Sequence, residues 1–218
     1  MSRFIRVTGK GTIRVKPDTT RLLITIEGVE KEYDKALRRT ADETQRLQEI
    51  LQKLGFEREG LKTLNLDISP KYDSVYNEKK RKYDETFIGY VYNHELKLEF
   101  PLDNSVLGKV LSELATSPIK PTFSILYTVR DQEQVKNSLL AKAVTDATEK
   151  AKVLAKAAGV TLKDIQTIDY SWGEVKFETS IVEGSATLAK EPDSLESIDI
   201  TPDDIDQSDT VTVVWEIE

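Results

Sequence analysis

Ile88-Gly89-Tyr90-Val91-Tyr92-Asn93-His94-Glu95-Leu96-Lys97-Leu98-Glu99-Phe100 decides the fold class. Between Tyr90 and Phe100 every second residue is aromatic or aliphatic, His94 excepted, and most of the residues between are polar. A period of two places one set of side chains on a buried face and the other in water, as in a strand of an antiparallel sheet. The same alternation recurs at Ile5, Val7, Ile13 and Val15; at Leu22, Ile24 and Ile26; at Leu64, Leu66 and Ile68; at Phe123, Ile125, Tyr127 and Val129; and at Val211, Val213, Trp215 and Ile217. A less regular strand is expected over Ile165–Trp172. Gly9-Lys10-Gly11 interrupts the first strand, and glycine in a strand interior predicts a bulge or bend. A phosphate loop would need other spacing and a following helix.

Three stretches carry the helical period instead. The first is expected over 32–54, with Ala36, Leu37, Leu47, Ile50, Leu51 and Leu54 on its apolar side and Gly55 as its stop. The second spans about 103–115, opened by an Asp or Asn cap. The third runs over 131–158 and closes at Gly159. Ala143, Ala147, Ala151 and Ala155 stand four apart on it and so share one face. Such a ridge of small side chains lets a helix approach its support closely, and it reads as helix-on-sheet packing, with a helix–helix contact between subunits as the alternative. The order β-β-α-β-β-α-β-α-β-β is α+β: a mainly antiparallel sheet with helices on one face, an extended hairpin arm over about 68–88, and one domain over 1–218.

The chain has 218 residues, no cysteine, one histidine and a net charge of −7. Cysteine chemistry is excluded, both disulfide and thiolate. Glu174 to Asp209 holds eleven acids against Lys176 and Lys190, a local charge of −9, so the rest of the chain is at +2. This acidic balance opposes broad nucleic-acid binding. Residues 177–208 lack a period and read as an acidic excursion before the last strand. No apolar run approaches the ~20 residues of a membrane helix. The opening residues run directly into a strand pattern with no export signal, so the expected compartment is the cytoplasm, or the envelope if a leader was removed.

Candidate chemistry is sparse. His94 shares the parity of Tyr90, Tyr92, Leu96 and Leu98, which predicts a satisfied core or interface histidine in preference to a catalytic base. Asp203, Asp204, Asp206 and Asp209 are the densest carboxylates, but they lack the glycine and terminal glutamate of a calcium loop. Weak cation binding through this segment is one alternative function. A hydrolase using two carboxylates in a cleft is another, although nothing selects the pair. No cofactor motif is present. The most distinctive surface stretch is Tyr72 to Tyr83, in which Lys79, Lys80, Arg81 and Lys82 are bracketed by Tyr72, Tyr76 and Tyr83. A solvated turn would account for the charges. Tyrosine and arginine are also enriched at interfaces, so these seven residues form a candidate contact arm, with the acidic 191–209 segment of another copy as a complementary target.

Taken in order, several landmarks resemble the SIMPL-domain family of bacterial proteins: Val7-Thr8-Gly9-Lys10-Gly11, Lys16-Pro17-Asp18, Gly55, Leu61-Lys62-Thr63, Ser69-Pro70-Lys71-Tyr72, Gly89-Tyr90, Leu154 to Gly159, Ile200-Thr201-Pro202 and Val211 to Ile217. The resemblance implies an α+β fold with long hairpins and a tendency to self-associate, and it supplies no catalytic residues. Many members are exported to the envelope and some are linked to stress tolerance. The reading that follows is a non-catalytic binding or self-associating protein, not an enzyme, with a homo-oligomer or a protein as partner.

Overall fold

A computed structural model describes residues 3–77, 82–170, 176–185 and 200–218. The elements are β1 (Arg3–Val15), β2 (Thr19–Glu30), α1 (Tyr33–Lys53), β3 (Leu61–Asn77), β4 (Lys82–Pro101), α2 (Asn104–Thr116), β5 (Thr122–Thr128), α3 (Gln132–Ala158), β6 (Leu162–Asp169), β7 (Glu178–Ser185) and β8 (Ile205–Ile217). The α+β class stands. Where the sequence reads as one sheet there are two, and the chain packs as two compact units, interleaved along it. One unit comprises Met1–Asp18, Thr128–Thr179 and Pro202–Glu218, and the other Thr19–Tyr127 and Ser180–Thr201. Periodicity reports which face a strand buries but not which strand it pairs with.

The first unit is built on a three-stranded sheet of order β1-β8-β6, with α3 on one face. β1 and β8 pair antiparallel from Arg3↔Ile217 to Val15↔Ile205 without a break in register. The bulge expected at Gly9 is therefore absent, and the glycines serve a different end. A Cβ on Gly9 would lie 2.1 Å from the carbonyl oxygen of Ala143 and 2.4 Å from the amide nitrogen of Ala147. One on Gly11 would lie 2.2 Å from the Leu139 carbonyl oxygen. The helix backbone thus rests directly on the strand backbone, alanine ridge against glycine pair. Ala143, Ala147 and Ala151 are fully buried with Val7, Val211, Val213 and Trp215, as the helix-on-sheet reading expects. The helix opens with the Asp131 carboxylate accepting from Gln134 N–H and ends with Gly159 in the left-handed region at φ 68°.

The second unit carries a five-stranded sheet of order β3-β4-β2-β5-β7. Leu22, Ile24 and Ile26 of β2 and Tyr92, Leu96 and Leu98 of β4 face α1 and α2 in one core. α1 buries Ala36, Thr40, Leu47 and Leu51, a stripe at helical spacing. α2 is capped by Asp103, whose carboxylate accepts from Ser105 and Val106 N–H. The acidic excursion is shorter than its composition suggests: β7 occupies 178–185 and β8 begins at Ile205 rather than near 211. Alternation is masked there because Asp206, Gln207, Ser208 and Asp209 are all polar.

A side chain at Gly9 would have to lift α3 off the sheet. Gly9→Val is expected to cost about 3 kcal/mol, read as a lower urea midpoint. Thr8→Ala, on the solvent face next to it, should stay within about 0.5–1 kcal/mol.

Candidate functional site

β2 ends at Glu30, opposite Tyr90. Beyond that point β3 and β4 continue as a two-stranded arm, paired from Lys71↔Gly89 to Asn77↔Lys82. The register shifts between Lys71 and Tyr72, where Ile88 has no partner. This bulge reverses the parity of β4, so the odd-numbered Phe87 joins the even-numbered Tyr90 on one face. Lys31 Nζ holds the bulge by donating to the Ile88 carbonyl at 3.0 Å.

Four aromatic rings follow one another along this face. Tyr33, at the start of α1, meets Tyr90 edge-on at 5.6 Å between centroids. Tyr90 meets Phe87 at 5.3 Å, and Phe87 meets Tyr72 at 5.6 Å. Edge-to-face pairs at these distances are mutually favourable. The row nevertheless lies open to water: Tyr72 is 56% exposed, Tyr33 52% and Phe87 42%. Of the seven arm residues singled out from the sequence, Tyr72 and Tyr83 are exposed, Tyr83 at 68%. The backbones of Tyr76 and Lys82 pair with Tyr83 and Asn77. Lys79, Lys80 and Arg81 lie outside the described residues. Sequence parity missed Phe87, and Gly89, next to the bulged Ile88, was the available signal of a bulge.

At the base of the arm the interior is polar. The buried stripe of α1 passes through Glu43 and Thr44, where apolar residues would continue it. Each meets a polar tip from β4. Tyr92 is fully buried, and its hydroxyl donates to Glu43 Oε2 at 2.8 Å. Arg39 donates in turn to Glu43 Oε1 at 3.0 Å and to Glu30 Oε1 at 2.6 Å. Burial first, then the Glu43 carboxylate, pushes the Tyr92 phenol well above its ordinary pKa and keeps it a donor.

His94 is 5% exposed. Its Nδ1 lies 2.9 Å from Thr44 Oγ1 and its Nε2 3.0 Å from Thr63 Oγ1. The single Thr44 hydroxyl proton is directed at the Thr40 carbonyl, 2.7 Å away. Nδ1–H therefore donates to Thr44, and Nε2 accepts from Thr63. This is a neutral imidazole with both nitrogens occupied, the satisfied histidine that its parity implies.

The acidic cluster is divided among partners. Asp206 forms a two-pronged pair with Arg14 at 2.7 and 2.8 Å. Asp209 accepts from Tyr170 Oη at 3.1 Å and from Thr210 N–H at 2.7 Å. Among the described residues no three acids or histidines stand close enough to hold a metal ion, and no helix is long and apolar enough to cross a membrane.

Burial lowers the His94 pKa below its ordinary 6.5. As pH falls below 6.5, the unfolded chain takes up a proton that the folded chain refuses. The contribution of His94 to stability is thus complete above 6.5 and declines below it. The urea midpoint is expected to fall between pH 7.5 and pH 5, and His94→Asn should flatten that part of the profile. An equal slope in the variant would assign it to other groups.

A family model for SIMPL, described as a protein of unknown function (DUF541), matches residues 5–215. The 26 kDa periplasmic immunogenic protein of Brucella abortus (strain S19) is 27% identical over 216 residues, covering 98% of this chain and 84% of that protein. The protein of the same name from Brucella melitensis biotype 1 aligns with the same identity and coverage. These names correct the cytoplasmic expectation, since they point to the envelope. Lack of cysteine does not argue otherwise, because a chain of this size buries enough apolar surface to need no disulfide in an oxidising compartment. With a match across almost its whole length and the α+β fold in place, the chain belongs to the SIMPL family.

Proposed function

We propose that this protein is a non-catalytic, self-associating protein of the bacterial envelope, and that the two-stranded arm is its contact surface. The observation that carries this reading is the open row Tyr33–Tyr90–Phe87–Tyr72. Four rings held edge to face by the fold, three of them about half exposed, form an apolar strip that gains free energy when another surface covers it. Aromatic residues of this kind supply the buried centre of protein interfaces. The basic sequence Lys79-Lys80-Arg81-Lys82 suits an acidic target, and the chain has one in residues 191–209.

The polar groups at the base of the arm support a binding role over a catalytic one. His94 has both nitrogens engaged, and Glu43 is committed to Tyr92 and Arg39. Two depressions open to solvent are lined by charged groups. One, of about 470 Å³, lies along α3 from Asp131 to Ala141, and Asp131 already serves as the helix cap. The other, of about 390 Å³, contains Asp206, which is paired with Arg14. The envelope placement rests on the names of the Brucella relatives.

Light scattering after size exclusion tests the proposal. The full chain is expected at a multiple of its 24.7 kDa mass. Deletion of residues 73–82, or Tyr72→Ser with Phe87→Ser, should return it to the monomer with its circular dichroism unchanged. A monomer at high concentration, or an oligomer indifferent to both variants, overturns the proposal.

A further inference from the structure

β1 is an edge strand of its sheet, thirteen residues long and in unbroken register with β8. A long regular edge is a template for pairing with a strand from another molecule. Two other edge strands, β3 and β6, are interrupted by register shifts, which bend a ladder and spoil it as a template. β1 has no such interruption, and its glycines let α3 lie directly on it.

Two side chains of α3 reach its free edge instead. The Lys10 backbone N–H donates to Asp146 Oδ2 at 2.7 Å. Lys142 Nζ lies 3.4 Å from the Thr12 carbonyl oxygen and donates to it. Along an antiparallel strand alternate residues bond to the partner and point away from it. Residues 10 and 12 are both of the outward set, so the contacts fall on adjacent outward positions, one donor and one acceptor, at the middle of the edge. Lys150, one turn along, anchors the same Asp146 oxygen at 2.6 Å.

We propose that Asp146 and Lys142 are an edge guard: they occupy the main-chain groups that an incoming strand would need and so keep β1 from accepting one. The charges of β1 act in the same direction. It carries Arg3, Arg6, Lys10 and Arg14 and no acid, so a second β1 is repelled. The guard goes beyond the arm reading, since it concerns a different strand and blocks association where the arm promotes it. A tether that merely fastens α3 to the sheet would use the same bonds, but its loss would lower stability without opening a new contact.

The experiment separates these roles in the full chain. In Asp146→Ala the Lys10 amide should exchange with solvent about tenfold faster by NMR. Stored with the wild type, the variant should convert to larger, β-rich, thioflavin-binding species while the wild type does not. Asp146→Asn keeps an oxygen acceptor and should behave as the wild type. Adding Thr8→Pro to the alanine variant removes a neighbouring outward N–H without touching the β8 ladder, and should suppress the new association. Lys150→Ala, which leaves the carboxylate present but unanchored, should give both changes at smaller size and keeps the test open if the alanine variant does not fold. All are repeated with residues 73–82 deleted: association through β1 persists there, whereas association through the arm is lost. Faster Lys10 exchange or a lower unfolding temperature with no new association in either variant makes the contact a tether and overturns the guard.

Discussion

The contact between α3 and β1 is a contact of backbone with backbone. Gly9 and Gly11 present no side chain, and Ala143 and Ala147 present one carbon each, so helix and strand meet at a distance no larger pair of residues permits. Much of the first unit follows from this. Val7, Val211, Val213 and Trp215 can close over the alanine ridge because the helix lies low. Asp146 and Lys142 can reach around the strand to its outer edge for the same reason. Packing at this density leaves no slack, so a single methyl group in the wrong place is felt across the layer.

The second unit is held differently. Its sheet and α1 meet through ordinary aliphatic packing, but the stripe of the helix contains Glu43 and Thr44, and the facing strand supplies Tyr92 and His94. Buried polar groups are tolerable when every one finds a partner, and they then restrict how two elements slide past each other. Apolar side chains alone would allow α1 to shift along the sheet at little cost. The Tyr92–Glu43 and His94–Thr44 bonds select one position, and that position brings Tyr33 against Tyr90 at the root of the arm.

Elements whose period is strong were legible from the residues: the long strand through His94, the alanine-ridged helix and the cap at Asp103. The parity of His94 also placed it correctly on the apolar face. What escaped were features that depend on partners. Gly9-Lys10-Gly11 suggests a bulge when only the strand is considered, and a close approach only when the alanine ridge is set against it. Phe87 changes faces at a bulge that no local pattern marks except the neighbouring glycine. The division into two units, and the strand inside the acidic stretch, depend on pairings far apart in the chain. The compartment was misjudged from weak signals, and related proteins corrected it.

The pairing of β1 with β8 joins the first described strand to the last, across some two hundred residues. A ladder of that span bears a large loop-closure entropy before its first bond is rewarded. The β1 ladder can form only when residues 205–217 are present, while the strands and helices between Thr19 and Tyr127 have their partners within that stretch, β7 apart. Local connectivity of this kind favours pairing within the Thr19–Tyr127 stretch before the β1–β8 ladder closes. Until that ladder closes, the glycine-bearing strand lacks its β8 partner, and an unpaired strand of this length is the part of the chain most open to misassembly.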